Sequence, residues 1–214
     1  MIMSHSLDTT LGPMAPFVCQ LLTELEALAI HPAAIEVDHL CYRAATLPEY
    51  QALKALLASH GDLLVEGMIG GRPIATYRLH QPVPHAHGIV PCIELAAPKP
   101  GRSHQAGLEH IELVVPSLNA LLAAHPEVPF KTGNLRDERN PDVAVMLASG
   151  QIKFHLRTLA EVIEPRYSEL LGLVQDEISR MQNELRVQGV KHQLAAGVVL
   201  TGGAAQIEGI VECA

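Results

Sequence analysis

The sequence predicts an α+β fold made of two βαβββ modules in tandem, preceded by a helix and followed by a separate helix-strand-helix appendage. Three observations point there. Short runs alternate apolar and polar side chains, the period of a half-buried strand, and stretches at helical spacing separate them. The order of these runs then starts again near residue 105 with similar residues in similar places, the mark of an internal repeat. Beyond residue 156 the pattern changes to one long amphipathic stretch, which divides the chain into expected domains at 1–156 and 157–214.

The elements follow in order. Residues 15–30, "APFVCQLLTELEALAI", set Phe17, Leu21, Leu25 and Leu28 on one stripe and predict the leading helix. "AIEVDHLCYRA" (34–44) alternates as a strand. "LPEYQALKALLASHG" (47–61) reads as a helix with Pro48 in its first turn and Gly61 as its stop. "GRPIATYRLHQPV" and "HGIVPCIELAAP" are two more strands separated by proline-rich turn material. After "KPGRSHQ" the second copy begins: "GLEHIELVVP" is a strand, "SLNALLAAHP" a helix opened by Ser117, and "DVAVMLASG" with "QIKFHLR" a terminal hairpin.

The repeat also places chemistry. "VDHLCY" and "LEHIEL" both carry acid, then histidine, then an apolar residue, so His39 and His110 correspond. The last strands, "CIELAAP" and "IKFHLRT", place Glu94 and His155 as a second matching pair. On "GLEHIELVV" one face bears His110 and Glu112 and the other Ile111, Leu113 and Val115; on "QIKFHLR" Lys153 and His155 oppose Ile152, Phe154 and Leu156. The apolar faces are expected on helices and the polar faces in a cleft. Alternation sends Asp38 and Glu109 to the face opposite their neighbouring histidines.

Composition narrows the function classes. The formal charge is −8, with 11 Lys/Arg against 15 Asp/Glu in residues 1–157 and 4 against 8 afterwards, so no basic patch invites nucleic acid. No apolar run is long enough for a membrane span, the opening segment lacks a signal-like core, and a cytoplasmic protein is expected. The four cysteines, at 19, 41, 92 and 213, form no CxxC pair and are expected to stay reduced. Twelve histidines, eleven of them before residue 156, say where chemistry is concentrated, although His80, His85, His87 and His104 read as ordinary solvated or hydrogen-bonded residues.

With these residues in view, the doubled unit resembles the vicinal-oxygen-chelate superfamily, which includes glyoxalases and extradiol dioxygenases. "DHLCYRA", "GRPIATYRLHQPV", "GLEHIELVVP" and "IKFH" are similar to its YecM branch over about residues 15–160. The resemblance implies one divalent metal in the cleft, held by a first-strand His and a fourth-strand Glu from each module. His39, Glu94 and His110 match, and His155 stands where Glu is usual, giving a shell suited to Fe, Mn, Ni or Zn. Such a shell would take a small-molecule ligand with two neighbouring oxygens and act as an isomerase, lyase or oxygenase. Glu94 or Glu112 would serve as the base, and Arg43, Arg78 and Lys153 would hold a carboxylate or phosphate.

The last residues resemble something else. "LAEVIEPRYSELLGLVQDEISRMQNELRVQGV" predicts one or two helices with an apolar stripe from Tyr167 to Leu185 and Gly189 as the stop. "AAGVVLTGG" then reads as a strand and "AAQIEGIVECA" as the start of a helix. From about Arg157 the chain is similar to the FtsA family of actin-like cell-division proteins, in which "VVLTGGAAQIEG" corresponds to the glycine turn beside the nucleotide. The phosphate-binding hairpins and metal-binding acid of an actin fold are absent from the sequence, so no functional ATP site is expected and Gly202 and Gly203 read as a plain turn. That fragment implies an alternative role as a non-catalytic interaction protein related to cell division, with self-association or division-protein contact through residues 164–214.

Overall fold

A computed structural model describes residues 4–138 and 140–189 of the chain. The expected strand and helix of residues 195–214, with Gly202 and Gly203, lie outside the described residues.

The core is one seven-stranded sheet in the order β2-β3-β4-β1-β5-β7-β6. The first module is β1 (Glu36–Arg43), α3 (Leu47–Leu57), β2 (Gly61–Ile69), β3 (Arg72–His85) and β4 (Gly88–Ala96). The second is β5 (Gly107–Val114), α4 (Leu118–Ala124), β6 (Asp142–Met146) and β7 (Gln151–His155). In each module the last strand returns parallel beside the first, β4 along β1 and β7 along β5, while β1 and β5 meet antiparallel at the centre. The two modules therefore share one continuous sheet, in agreement with the expected α+β fold class. Among the described residues the second module is one strand short: where the first has β2, it keeps a bridge between Lys131 and Ala144.

The central register carries the pseudo-twofold. His39 pairs with Glu112 and His110 with Cys41; Val37 pairs with Leu113 and Leu108 with Tyr42. Exchanging the modules turns each pair into its mate. The same register moves one expected correspondence. His39 lies beside Cys92 and Cys41 beside Glu94, whereas His110 lies beside Gln151 and Glu112 beside Lys153. Glu94 thus corresponds to Lys153, and His155 falls one step further along the same face.

Leu40, Ile93, Leu95, Ile111, Leu113, Ile152 and Phe154 form the helix-side face of the sheet and belong to one buried cluster with Leu21, Leu25, Tyr50 and Leu57. α2 (Met14–Glu26) supplies Val18, Leu21, Leu22 and Leu25 to it. α2 ends four residues before the expected boundary, and a short α1 (Asp8–Leu11) precedes it, held by Asp8, whose Oδ1 accepts from Met14 N and Oδ2 from His5 N. α3 starts as its sequence demands, with Thr46 accepting from Glu49 N and Pro48 in the first turn.

The βαβββ pattern requires the strand β2, but the sequence reading assigns no residues to it. Gly61, read as a helix stop, is the first residue of this strand, where a Cβ would lie 2.4 Å from the carbonyl oxygen of Arg78. The β2-β3 hairpin closes at Gly70 and Gly71, both at positive φ, with Ile69 paired to Arg72, a two-residue connection whose twist suits the flanking strands.

α5 (Leu159–Val187) opens with a capping box between Thr158 and Glu161 and is followed by Gly189 at positive φ, the expected stop. Its apolar stripe is largely open, with Leu170, Leu173, Val174 and Met181 exposed. Among the described residues no helix is long and apolar enough to cross a membrane. Cys19, Cys41 and Cys92 are free thiols.

Candidate metal centre

The cleft face of the sheet gathers the polar residues of five strands: His39, Cys41 and Arg43 from β1, Glu94 from β4, Arg78 from β3, His110 and Glu112 from β5, and Lys153 and His155 from β7. His39, His110 and His155 are each at most 3% exposed, so the face is a lined interior rather than a wet surface.

Three of the four expected ligands converge. His39, Glu94 and His110 each offer a donor atom, and these atoms lie within 4.8 Å of one another. The Nε2 atom of His39 is buried without a hydrogen-bond partner, 3.9 Å from Glu94 Oε2. Two imidazoles and one carboxylate, with the unpartnered Nε2 of His39 directed at their common space, fit a divalent first-row metal that keeps open positions. His155 does not belong to that group. Its Nδ1 meets the Asn140 side-chain amide at 2.8 Å, and its Nε2 lies 3.5 Å from Glu112 Oε2 and 3.8 Å from Asp38 Oδ2.

Glu112 sits at the hub. Its Oε1 accepts from Lys153 Nζ at 2.6 Å and lies 3.2 Å from His110 Nε2 and 3.5 Å from His39 Nε2. Burial alone would raise its pKa, but the charges of His39 and Lys153, with a hydrogen bond from His110, hold it well below the ordinary carboxylate range. The Lys153 ammonium is likewise opposed by burial and yet raised by Glu112 and Glu94. Burial also works against the imidazolium of His39, and Glu112, Asp38 and Glu94 more than offset it, raising its pKa well above the ordinary value. For His155 burial prevails and lowers the pKa.

Asp38 and Glu109 are corrections to simple alternation. The β1-β5 register slips between Val37 and His39 and again between Cys41 and Tyr42, so Asp38 on β1 and Glu109 on β5 are the extra residues of two bulges. Both acids are thereby turned toward their neighbouring histidines. Asp38 Oδ2 meets His39 Nδ1 at 2.9 Å, and Glu109 Oε2 lies 3.8 Å from His110 Nδ1. An acid before His in each first strand was the visible signal, but no local pattern announces a bulge. Glu109 also pairs with the buried Arg43. Arg78, expected on the polar face of its strand, is exposed and aligned with Cys92.

A second group, Cys41, Glu109 and His110, also brings ligand-type atoms within 4.8 Å of one another. Burial and the carboxylates of Glu94 and Glu109 hold the Cys41 thiol well above its ordinary pKa. The His/Glu group offers the readier donors.

The model of the YecM protein family matches residues 6–166. The chain belongs to the YecM family. Protein YecM of Escherichia coli K12 is 31% identical over 157 residues, covering 66% of this chain and 84% of that protein. A solved structural-genomics protein, EC4020, superposes with a TM-score of 0.64 at 30% identity, over 77% of this YecM chain and 98% of the other. A separate likeness is to the cell division protein FtsA of Escherichia coli K12, 72% identical over 58 residues. That match covers 27% of this chain and only 14% of the length of FtsA. The YecM assignment thus accounts for the whole sheet and its cleft, and the FtsA likeness for a short segment.

Proposed function

We propose that this YecM-family chain binds one divalent metal, Fe, Mn, Ni or Zn, in the cleft and acts on a small oxygenated metabolite as an isomerase, lyase or oxygenase of the vicinal-oxygen-chelate type. The observation that carries the reading is the convergence of His39, Glu94 and His110 from three adjacent strands, with the partnerless Nε2 of His39 among them. These three would hold the ion. When bound, it would supply Lewis-acid polarisation of the substrate's oxygens. His155, the fourth expected ligand, would have to turn from Glu112 to reach it.

The chain's own groups have distinct tasks. Glu112, ionised and hydrogen-bonded to Lys153, is the carboxylate placed to take a proton at Oε2, and the Lys153 charge left unopposed by that step favours the proton's return to the substrate. Glu94 is the second candidate base. Arg43, Arg78 and Lys153 line the route by which an anionic substrate is oriented. The burial of the three imidazoles keeps bulk water from the reacting atoms.

Calorimetric titration of the chelator-treated protein with Mn, Fe, Ni and Zn tests the proposal. One ion per chain is expected, with uptake abolished in His110→Ala. A folded protein that takes up none of the four refutes it.

The FtsA likeness supports a second reading for the C-terminal segment, as a non-catalytic contact related to cell division, made by residues 164–214 beyond a domain boundary near residue 156. The open apolar stripe of α5 suits such a contact. Sedimentation of the full chain, alone and with purified division proteins, tests it: a monomer that binds none of them excludes the role.

A further inference from the structure

At the end of the cleft where β1 and β4 finish and β5 begins, positive charge accumulates in a chain whose formal charge is −8. Arg43 is 8% exposed and Arg72 is 9% exposed. Burying guanidinium groups so deeply is costly unless their donors are satisfied. They are not: Arg43 Nη1 and Arg72 Nε and Nη1 are buried and have no hydrogen-bond partner among the described residues.

The loop after β4 brings further donors to the same place. Arg72, then partial burial, then Arg43 and Arg102 press the Lys99 ammonium below its ordinary range. Burial and then Arg43, with Arg72 and Lys99, do the same to His104, whose Nε2 is another buried atom without a partner. The loop rests on the β2-β3 hairpin, where Pro100 Cγ lies 3.8 Å from the position of a Cβ on Gly71, and Ala97 N donates to Pro73 O. Opposing these cations is Glu109, which already pairs with Arg43.

Four cations stand against Glu109 and, on the side of Arg72, Glu94, which leaves a local excess of two charges. A monoanion would compensate one of them, whereas a phosphate dianion compensates two and offers acceptors to several N–H forks at once. We propose that Arg43, Arg72, Lys99 and Arg102 form a subsite for the phosphoryl group of the substrate. The inference rests on the metal-site reading only in assigning the bound group to a substrate. Arg43 stands two residues along β1 from Cys41, the partner of His110, a step of about 7 Å. The substrate class is accordingly a short phosphorylated metabolite whose oxygenated end reaches the His39, Glu94 and His110 group.

The test is calorimetric titration of the full chain with inorganic phosphate in the presence of a chelator, so that metal plays no part. One phosphate per chain is expected, with affinity about tenfold weaker in Arg72→Gln and about threefold weaker in Lys99→Gln, which alters an exposed loop residue and leaves the core intact. Glu109→Gln removes the opposing charge and is expected to tighten phosphate binding about threefold, a gain that no folding defect produces. Absence of saturable binding in the wild type, or affinity unchanged by all three substitutions, overturns the proposal. Tighter binding of malonate than of phosphate overturns the phosphoryl assignment. Phosphate binding in a protein that takes up no metal would leave this subsite standing and remove the metal reading alone.

Discussion

Asp38 Oδ2 receives two donors, His39 Nδ1 at 2.9 Å and the backbone N–H of Leu159 at 3.0 Å. The first contact holds the Nδ1 proton and turns Nε2 toward Glu94, Glu112 and the interior, where an ion would take the place of the Nε2 proton. The second ties the start of α5 to the same oxygen. An acid displaced by a bulge therefore fixes both a candidate ligand and the junction between sheet and long helix.

Replacing that acid has a defined cost. Asp38→Ala frees the His39 ring and leaves the Leu159 N–H without its acceptor. Metal affinity is expected to fall about 10- to 100-fold and the metal-free protein to lose about 1–3 kcal/mol. Calorimetric metal titration and urea unfolding check the two effects. Undiminished metal affinity would show that His39 needs no such support.

His155 differs from His110 in lying outside the group that converges with Glu94. Its Nδ1 is engaged by Asn140, and its Nε2, buried without a hydrogen-bond partner, lies 3.5 Å from Glu112 and 3.8 Å from Asp38. His155→Gln is expected to weaken metal uptake by less than about tenfold, against a loss of more than about a hundredfold for His110→Gln. Equal losses in side-by-side titrations would make His155 a ligand of the same rank.

A pH effect is expected away from the cleft. Burial alone would raise the Glu66 carboxyl, but hydrogen bonds from Lys54 and from Tyr50, the latter at 2.8 Å, more than offset it and hold the pKa below its ordinary 4.5. A carboxyl depressed by folding stabilises the native state above its unfolded pKa, and that stabilisation is lost as pH falls through the folded value. The pair is partly exposed, with Glu66 27% and Lys54 30% accessible, so the effect is about 1 kcal/mol. Glu66→Gln should be less stable by that amount at pH 7 and should converge with the wild type as the pH falls through the lowered folded pKa. Urea unfolding between pH 3 and 7 reads this directly, and parallel curves would contradict it.

Most of the cleft face was legible in the sequence because side chains alternate wherever a strand is regular. His39, Cys41 and Arg43 on one strand, His110 and Glu112 on another, and Lys153 and His155 on a third all share the face that alternation assigns. The pattern fails at Asp38 and Glu109 because each sits in a bulge, and bulges arise from pairing between strands distant in sequence. The residues of β2 went unassigned because Gly61 follows a helix and satisfies the rule for a helix stop; what places it in a strand is its close approach to Arg78. Arg72 gave no local sign either, since a residue after a Gly-Gly turn reads as exposed until the loop with Lys99 and Pro100 folds over that end of the sheet.

The matching of Glu94 with His155 failed for a different reason. Sequence similarity between "CIELAAP" and "IKFHLRT" is too slight to fix an alignment, and a shift of two residues preserves the face while changing the row. Hydrogen-bond register decides the row, and it puts Lys153 opposite Glu94 across the pseudo-twofold.

That row yields the most discriminating variant. Lys153→Glu would restore a carboxylate in both modules and place three acids, at 94, 112 and 153, around the space His39 and His110 face. Without metal, the added charge repels Glu112 and removes its 2.6 Å partner, so the melting temperature should drop by several degrees. With metal, the same charge becomes a ligand, and affinity for Mn or Zn should rise at least about tenfold. Thermal melts in chelator and in excess metal should therefore move apart, the metal-bound form gaining what linkage requires. A variant that melts earlier under both conditions and binds no more tightly would show that the space between these strands is not built around an ion.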